Sequence, residues 1–556
     1  MFASWRKRKQ HRKLAKKLNK TSYKDVYNVE QLSWYKKYSL SVWFSFKNAS
    51  LAKRIILWYL FFTFSGALIL WSPLSHANGQ GMISFVDALF IAASSISDTG
   101  LTTVPIATQF NMFGEMVIFF LFILGGLGWY ALKIFILSFF LHKAIKHRNL
   151  KQYETESGNS AYSESLGIMK VAVVTTFSMI VVFGLSYSLF FMFGNPIHNP
   201  LYEAVGGVSN PDLYGNYGRS LWTGVFTAGS AINNAGFDIF LGDSSMYAFY
   251  GNVGFQISIM FLFILGGVGF SIIYDIKEWM KSRWTGGTFR LSLITKISVI
   301  TYFAVALTGL GVVMIGELIQ HTTVGEGSYI TTMVDHGSSQ GLAYWSLVFN
   351  TFSTRNAGFA TNSMGLYSPA SMLATIVMMF IGSGPGSTAG GIRTTTFAIL
   401  MITMVSYFKG KTRSEAFNRS IEPSQVREAF VIFLGALMLV LTTSFLIATI
   451  ESGNMMQPPP DSIIIPPGLL PGYEDMYREM IRWSYLDILF LSASAFGTTG
   501  LSSVSLNNAH FMTKLWLIVV MFIGQIGIST MAKSVRSSVV DDVSERQLIS
   551  ESMNLG

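Results

Sequence analysis

A short phrase recurs four times along this chain of 556 residues, and it limits the fold more than any other feature does. Each copy has a lead-in of small residues, a glycine, and then Leu or Phe: IAASSISDTGL, TAGSAINNAGF, FNTFSTRNAGF and LSASAFGTTGL. The glycines are Gly100, Gly236, Gly358 and Gly500. Because they lie roughly 120–140 residues apart, the pattern indicates four copies of one structural unit.

Long apolar stretches flank each copy of the phrase. Half of the residues are hydrophobic and 13% are charged, whereas a soluble domain has about 25% charged residues. Apolar runs near 20 residues suit helices that cross a bilayer, and in lipid only helices or closed barrels satisfy their backbone. The runs lack the alternation of barrel strands. We therefore expect an all-α integral membrane protein, without disulfides or cysteine metal sites because the chain has no cysteine.

The net charge of +10 is unevenly distributed. Lys and Arg concentrate in the N-terminal tail, in alternate loops and at the helix ends beside them, while the intervening loops are poor in both. This is the positive-inside pattern, and it predicts a multi-pass protein of the cell membrane with both termini in the cytoplasm. Because topology accounts for the basic residues, nucleic-acid binding is not expected.

Each copy is predicted to form a unit of one span, a half helix with a re-entrant loop, and a second span. The near-identical FLFILGGLGW and FLFILGGVGF in two second spans support the repeat. Eight spans and four loops would then surround one central pore. The expected half helices cover 82–97, 219–232, 343–353 and 483–496, and the second spans cover 112–141, 250–281, 369–409 and 511–540. The predicted segments are a basic cytoplasmic tail (1–50), unit one (51–142), a cytoplasmic loop with unit two (143–281), unit three (282–410), unit four (411–540) with an external insert (451–480), and a cytoplasmic tail (541–556).

The four bends have the chemistry of a site for a dehydrated cation. A glycine lets the backbone take a positive φ and brings carbonyl groups close to a ligand. Four such bends around an axis resemble a potassium filter in principle. If each half helix enters from outside, its partially negative C-terminal end also favours a cation there. Mg²⁺ or Ca²⁺ would call for rings of carboxylates, yet only Asp98 is acidic among the bends. The alternative is that the glycines are ordinary turns or helix-packing contacts.

A second glycine-rich stretch, GSGPGSTAGGIRT at 382–394, interrupts the second span of unit three. Gly and Pro in this number do not maintain a regular helix. A phosphate-binding loop would need a preceding strand and Gly-Lys-Ser/Thr, and both are missing. We expect a broken helix that blocks or opens the pore below the bends. The gating candidates are Gly382, Gly384, Pro385, Gly386, Gly390 and Gly391.

The motifs DTGL (98–101), NNAGF (233–237), TRNAGF (354–359) and FGTTGL (496–501) resemble those of the Trk/Ktr/HKT superfamily of potassium transporters. The resemblance covers about residues 50–540 and is closest to the bacterial Ktr and Trk membrane subunits. It implies that each loop contributes one glycine to a potassium filter. Members with Ser at the first glycine tend to favour sodium, so four glycines favour potassium; a sodium-permeable or sodium-coupled transporter is the alternative. The implied ion-binding residues are Asp98, Thr99, Gly100, Asn234, Ala235, Gly236, Asn356, Ala357, Gly358, Thr498, Thr499 and Gly500.

The resemblance also implies a homodimer that works with a cytosolic nucleotide-binding regulatory subunit, with K⁺ as the transported ion and no organic cofactor. Gln525 departs from the family, because a phrase like GRxG is common where this chain has GQIG. Arg355 is expected to brace loop carbonyls, and Asp98 either to attract cations or to brace its own loop. Glu115 and Asp487 are expected to be hydrated or capping residues. An enzyme or an inverted-repeat carrier is disfavoured, because no cluster of catalytic residues stands out and four same-direction units replace two halves.

Overall fold

The computed structural model describes residues 51–128, 162–194, 213–240, 246–323, 325, 328–411, 413–455, 483–528 and 530–531. The two predicted tails and most of the predicted external insert lie outside these residues. The chain divides into two compact units, and the larger, Tyr59–Ser529, contains the sites described below. Its buried apolar side chains form two clusters, one mainly from units one and two and the other mainly from units three and four.

The helices follow the predicted repeat of a long helix, a short helix and a second helix. Unit one contains α1 (Leu51–Trp71), α2 (Phe85–Ile96) and α3 (Met112–Leu127). Unit two contains α4 (Tyr162–Phe193), α5 (Tyr217–Asn233), α6 (Val253–Val268) and α7 (Phe270–Trp284). Unit three contains α8 (Leu293–Thr323), α9 (Tyr329–Asp335), α10 (Gln340–Ser353), α11 (Pro369–Phe380) and α12 (Thr394–Phe408). Unit four contains the hairpin strands β1 (Glu415–Ala416) and β2 (Arg419–Ser420), then α13 (Pro423–Ile450), α14 (Tyr485–Gly497) and α15 (Phe511–Ile526).

Within the described part of the chain, four helices are each long and apolar enough to cross a membrane: α1, α4, α8 and α13. The pair α6 and α7 passes the same test together, but its two helices meet at an angle of 95°. The remaining apolar helices have 10–17 residues. An integral membrane protein is therefore well supported, whereas eight crossings stay a prediction.

In units one, two and four the second helix ends at a glycine with positive φ. Within the predicted second span of unit two, 250–281, the helix is not continuous, because Gly269 (φ 104°) separates α6 from α7. Gly128 (φ 73°) ends α3 and Gly527 (φ 85°) ends α15 in the same way. L-residues rarely adopt this conformation, so the last glycine of the repeated phrase is a helix end. In unit three the predicted interruption is confirmed, since α11 ends at Phe380 and α12 begins at Thr394.

The four short helices, α2, α5, α10 and α14, are present within three residues of their predicted ends. A polar side chain caps each N-terminus by accepting a backbone N–H from the first turn. The caps are Ser84, Asn216, Ser339 and Ser484. The C-terminal half of each helix is buried, except for the partly buried Val348 of α10. Each short helix therefore begins at a polar edge and ends inside the protein.

Candidate functional site

One to three residues after the end of each short helix, a non-glycine residue has a positive φ. Asp98 (φ 49°), Asn234 (φ 56°), Asn356 (φ 84°) and Thr498 (φ 49°) each lie two residues before the glycine of their bend. They are four of the six non-glycine residues with positive φ in the described chain. Asn and Asp tolerate this conformation better than most residues. It turns the backbone sharply, so that the next residues leave the helix axis.

The C-terminal turns of three short helices are closed by the same pair of backbone hydrogen bonds. In unit one the N–H of Asp98 donates to Ser95 O at 3.2 Å and that of Thr99 donates to Ser94 O at 2.9 Å. Equivalent bonds close α5 and α14. This is the Schellman arrangement of a helix C-terminus. It leaves the chain directed across the end of the helix, where the glycines lie.

The four glycines form a closed ring, which we call the glycine ring: Gly100, Gly236, Gly358 and Gly500. All four have positive φ, between 67° and 90°. A Cβ added to Gly100 would lie 2.5 Å from the Ala235 carbonyl oxygen, and one added to Gly236 would lie 2.9 Å from the Gly358 Cα.

The other two glycines complete the ring. A Cβ on Gly358 would lie 2.5 Å from the Thr499 carbonyl oxygen, and one on Gly500 would overlap the Thr99 carbonyl oxygen. Each glycine thus packs on the next loop, against the carbonyl that precedes that loop's glycine or against the glycine itself. The residues after the glycines, Leu or Phe, are buried and anchor each loop. The four bends predicted from sequence are therefore brought together around one axis.

The polar side chains before the glycines are buried and hydrogen bond away from the ring. In the side-chain orientation that satisfies its neighbours, the amide nitrogen of Asn234 donates to the Phe263 carbonyl at 2.9 Å. Asn356 donates to the Gly497 carbonyl, and one carboxylate oxygen of Asp98 accepts from Gln525 at 3.4 Å. These side chains brace the loops. The carbonyls of the following residues, rather than these side chains, lie beside the glycine ring.

Further glycines let the second helices approach the ends of the short helices. A Cβ on Gly125 of α3 would overlap the carbonyl oxygen of Ile96, the last residue of α2. Gly266 of α6 and Gly524 of α15 have the same relation to the ends of α5 and α14. This close approach explains why the phrase FILGG recurs. The repeated glycines form part of the support of the ring.

Residues 381–393, here called the unit-three loop, connect α11 to α12 and are anchored by Arg355. This arginine is buried. Its guanidinium donates to the carbonyls of Met378 (2.8 Å), Ile381 and Gly382 (2.9 Å), and it lies 5.0 Å from the Tyr302 ring centroid. The prediction that Arg355 braces loop carbonyls is confirmed. It caps the C-terminus of α11 from the third bend.

The unit-three loop is also hydrogen bonded to the other bends. Ser383 donates to the Asn356 side chain at 3.0 Å, and the Gly390 N–H donates to the Thr498 hydroxyl at 2.7 Å. Gln525 donates to the Thr388 carbonyl at 2.9 Å and also reaches Asp98. Gln525, singled out from sequence because it replaces an arginine, therefore links the loop to the first bend.

The same loop fills the break between α6 and α7. The Gly384 N–H donates to the Gly267 carbonyl at 3.0 Å, and the Phe270 N–H donates to the Gly386 carbonyl at 3.2 Å. A broken helix leaves such groups without intrahelical partners, and buried backbone groups need partners. Movement of the loop would therefore expose polar groups of unit two as well as unit three.

Two ion pairs that the sequence did not reveal join second helices to short helices. Glu115 of α3 accepts from Arg219 of α5 at 2.7 Å and from the Trp222 indole at 2.7 Å. The expectation of a hydrated or capping Glu115 was wrong, because its side chain is 1% exposed. Lys514 of α15 pairs with Asp87 of α2 at 2.8 Å. The partners are 104 and 427 positions apart, so only the fold brings them together.

Asp487 behaves as predicted for a capping residue. Its carboxylate accepts from the Ser484 backbone N–H at 2.9 Å, while Ser484 accepts the Asp487 N–H at 3.2 Å. This reciprocal arrangement is a capping box. It fixes the start of α14, the helix that leads to Gly500.

Four helix C-termini directed at one ring of glycines and carbonyls, within an apolar helical fold, define a membrane protein that handles cations. The chain belongs to the TrkH family of cation transport proteins, whose family model matches residues 43–464. It is a membrane subunit of the Trk/Ktr superfamily, as the four motifs predicted, and this is a family of transporters rather than of enzymes.

Characterised and uncharacterised relatives agree with this assignment. The chain is 28% identical to uptake protein D of the Ktr potassium system of Bacillus subtilis, over 86% of this chain and 91% of the relative. It is 29% identical to the potassium/sodium uptake protein NtpJ of Enterococcus hirae, over 86% and 90% of the two chains. The uncharacterized cation transporter MG322 of Mycoplasma genitalium is 28% identical, over 86% and 93%.

A solved structure shares the fold. The potassium transporter TrkH of Vibrio parahaemolyticus aligns with a TM-score of 0.55 and 15% identity, over 86% of this chain and 83% of that chain. At this identity the likeness concerns the fold alone.

Proposed function

We propose that this chain takes up potassium across the cell membrane through a single pore, driven by the electrochemical gradient. The observation that carries the proposal is the glycine ring, in which four loops of one chain contact one another in a closed order. Backbone carbonyls gathered around an axis replace the hydration shell of a potassium ion. The converging C-terminal ends of the short helices add a field that favours a cation.

The proposed ion-binding positions are the backbones of the three residues that end in each glycine of the ring. The carbonyls of Thr99, Ala235, Ala357 and Thr499 are the main candidates, because each belongs to the residue just before a ring glycine and all four lie beside the ring glycine of a neighbouring loop. The side chains of Asp98, Asn234, Asn356 and Thr498 serve to hold the loops, since they bond behind them. In this proposal Asp98 acts on the first loop through Gln525 rather than by touching the ion.

The unit-three loop is the proposed gate. Its hydrogen bonds to three bends and to the broken helix of unit two support a closed state that must be released for ions to pass. The gating residues are Gly382, Gly384, Pro385, Gly386, Gly390, Gly391 and Gln525. Shortening this loop by several residues should raise ion flux, and unchanged flux in a folded variant would contradict the gating role.

The proposed membrane arrangement has eight spans, four re-entrant loops, and both termini in the cytoplasm. The alternation of basic loops supports this topology, and the repeat of long, short and second helices agrees with it. By similarity to the Ktr relatives, the working form is a homodimer that associates with a cytosolic nucleotide-binding regulatory subunit.

The choice between potassium and sodium is tested by uptake. Glycine at all four ring positions supports potassium, while the name of the Enterococcus hirae relative, a potassium/sodium uptake protein, keeps sodium as the alternative. Cells that lack their own potassium uptake systems should gain rubidium uptake on expressing the chain, and excess potassium should compete better than excess sodium. Equal competition would favour the alternative.

Gly100→Ser provides the matching test of the ring. A side chain at Gly100 would meet the Ala235 carbonyl oxygen, so the variant should lose uptake or its preference for potassium. Absence of uptake by the unaltered chain, even with a Ktr-type regulatory subunit co-expressed and the protein in the membrane, would refute the proposed function.

A further inference from the structure

An apolar groove opens on the outer surface of unit three, beside the base of the unit-three loop. It has a volume of about 740 Å³ and lies between α8, α11 and α12. Its lining is almost entirely apolar and includes Ile297, Ala304 and Val312 of α8 and Val377 of α11. Val312 and Val377 are about half exposed. Such a surface within the apolar belt of a membrane protein is covered by lipid or by another protein.

The groove has the length of a lipid chain. Its lining on α8 runs from Ile297 to Val312, a distance of fifteen helical steps or about 22 Å. One leaflet of a bilayer has a hydrocarbon depth of about 15 Å, half of the ~30 Å core. One acyl chain together with the start of its head group therefore spans the groove from end to end.

A basic side chain, Lys296, and an aromatic side chain, Phe417, lie at one end of the groove. Lys296 lies one residue before Ile297, and its ammonium is 5.8 Å from the ring centroid of Phe417. Phe417 lies in the turn of the β1–β2 hairpin and also lines the groove. In the described chain Lys296 makes no ion pair with a carboxylate. The groove thus offers an anion a basic group at the mouth and an apolar channel behind it.

Phe417 occupies an unfavourable backbone conformation. It has φ 49° and the next residue, Asn418, has φ 60°, as a two-residue hairpin turn with both central residues left-handed requires. Asn suits this turn, but a bulky aromatic residue rarely adopts positive φ. Strain of this kind is typical of ligand clamps. Here it directs an aromatic ring into the mouth of the groove.

We propose that this groove binds one acyl chain of an anionic phospholipid, with the phosphate beside Lys296 and Phe417 packed on the first carbons. A helix from a second copy fits less well, because Ala416 and Phe417 of the hairpin line the groove at its basic end, where a spanning helix would have to continue. A two-fold contact would also place one concave surface against another. Anionic lipid is abundant on the basic, cytoplasmic side of the predicted topology.

Lipid in the groove packs against the base of the proposed gate. Met378 and Ile381 line the groove, and their backbone carbonyls are among those held by Arg355. An acyl chain would therefore stabilise the wall to which the unit-three loop is attached. This consequence rests on the proposed function, whereas lipid binding itself does not.

The test uses the full chain in lipid nanodiscs with a phosphatidylglycerol that carries a photoreactive diazirine on its acyl chain. We expect labelled peptides from α11 and α12, with phosphatidylglycerol competing better than phosphatidylcholine. Ala304→Trp should fill the groove and reduce this labelling at least about fivefold. Leu307→Trp is the matched control, because Leu307 is on the same helix, is 58% exposed and does not line the groove. It should leave the labelling unchanged.

Lys296→Gln tests the head-group contact without adding bulk. It should reduce the preference for phosphatidylglycerol over phosphatidylcholine by about fivefold, the effect expected of one basic residue near an anionic lipid. Labelling that Ala304→Trp leaves unchanged, a lipid preference that Lys296→Gln leaves unchanged, or crosslinks between two copies of the chain through α8 would each overturn the proposal. Rubidium uptake measured in parallel separates failure of lipid binding from failure of the proposed transport.

Discussion

Adding one methyl group to the glycine ring should slow transport at least severalfold while the rest of the fold is retained. In Gly358→Ala the new Cβ would lie 2.5 Å from the Thr499 carbonyl oxygen and 2.8 Å from the Gly236 Cα. Ordinary contact begins near 3.4 Å, so the neighbours must move by about 0.9 Å, the difference between 3.4 and 2.5 Å. Overpacking of this kind costs about 1–3 kcal/mol, in addition to about 1–2 kcal/mol for alanine at φ 79°.

The matched control is Gly337→Ala. Gly337 has φ 97°, but a Cβ there would meet nothing within 4 Å, so this variant bears the backbone cost without the contact. If the contact cost falls on the conducting state, rubidium uptake should fall roughly 5- to 150-fold in Gly358→Ala relative to the control. Membrane abundance and elution from size-exclusion chromatography report whether both variants fold. Equal uptake by the two variants, at equal abundance, would refute the argument that the ring is the conducting path.

Three further changes test the loop and its supports. Arg355→Gln leaves buried carbonyls of the unit-three loop without a donor, at about 1–3 kcal/mol each; the temperature of unfolding in detergent should fall by several degrees, and an unchanged value would contradict the bracing role. Gln525→Arg places a guanidinium beside the Asp98 carboxylate and adds a cation next to the proposed pore. Rubidium uptake should fall roughly tenfold, which corresponds to a barrier higher by about 1.4 kcal/mol. Faster uptake would show that Gln525 is not on the pathway. Ser383→Ala removes the bond from the loop to Asn356, worth about 1 kcal/mol; uptake should rise about fivefold if the loop is the gate, whereas slower uptake by a folded variant would count against it.

Much of the site was predictable because the residue preferences of bends and helix ends, together with the fourfold repeat, indicate the same structure. A glycine followed by a buried Leu or Phe, repeated four times, predicted four bends, and all four are present with positive φ. The short helices were equally predictable, since polar caps precede short apolar runs. The residues two positions before the glycines stay predicted members of the ion site, and the structure shows that their side chains form hydrogen bonds behind the loops. A left-handed residue at that position turns the backbone, and this depends on its conformation rather than on its composition.

In the second helices, hydropathy alone does not predict where a helix bends or ends. Apolar composition continues through Gly269, so the sequence predicted one span over 250–281, yet the chain bends by 95° there. The break is tolerated because the unit-three loop supplies hydrogen bonds to both sides of it. Those partners lie more than 100 positions away in the sequence. The residues around Gly269 therefore do not predict which groups form these hydrogen bonds.

By itself the sequence determined the membrane class, the fourfold repeat, the bends and the break in unit three, because each depends on neighbouring residues or on periodicity. The tertiary structure decided which groups meet: the closed order of the glycine ring, the anchoring of the loop by Arg355, the burial of Glu115 beside Arg219, and the groove with Lys296 at its mouth. The physical reason is distance along the chain. Contacts between units join residues that local propensity treats as independent, so their partners are selected only when the helices pack.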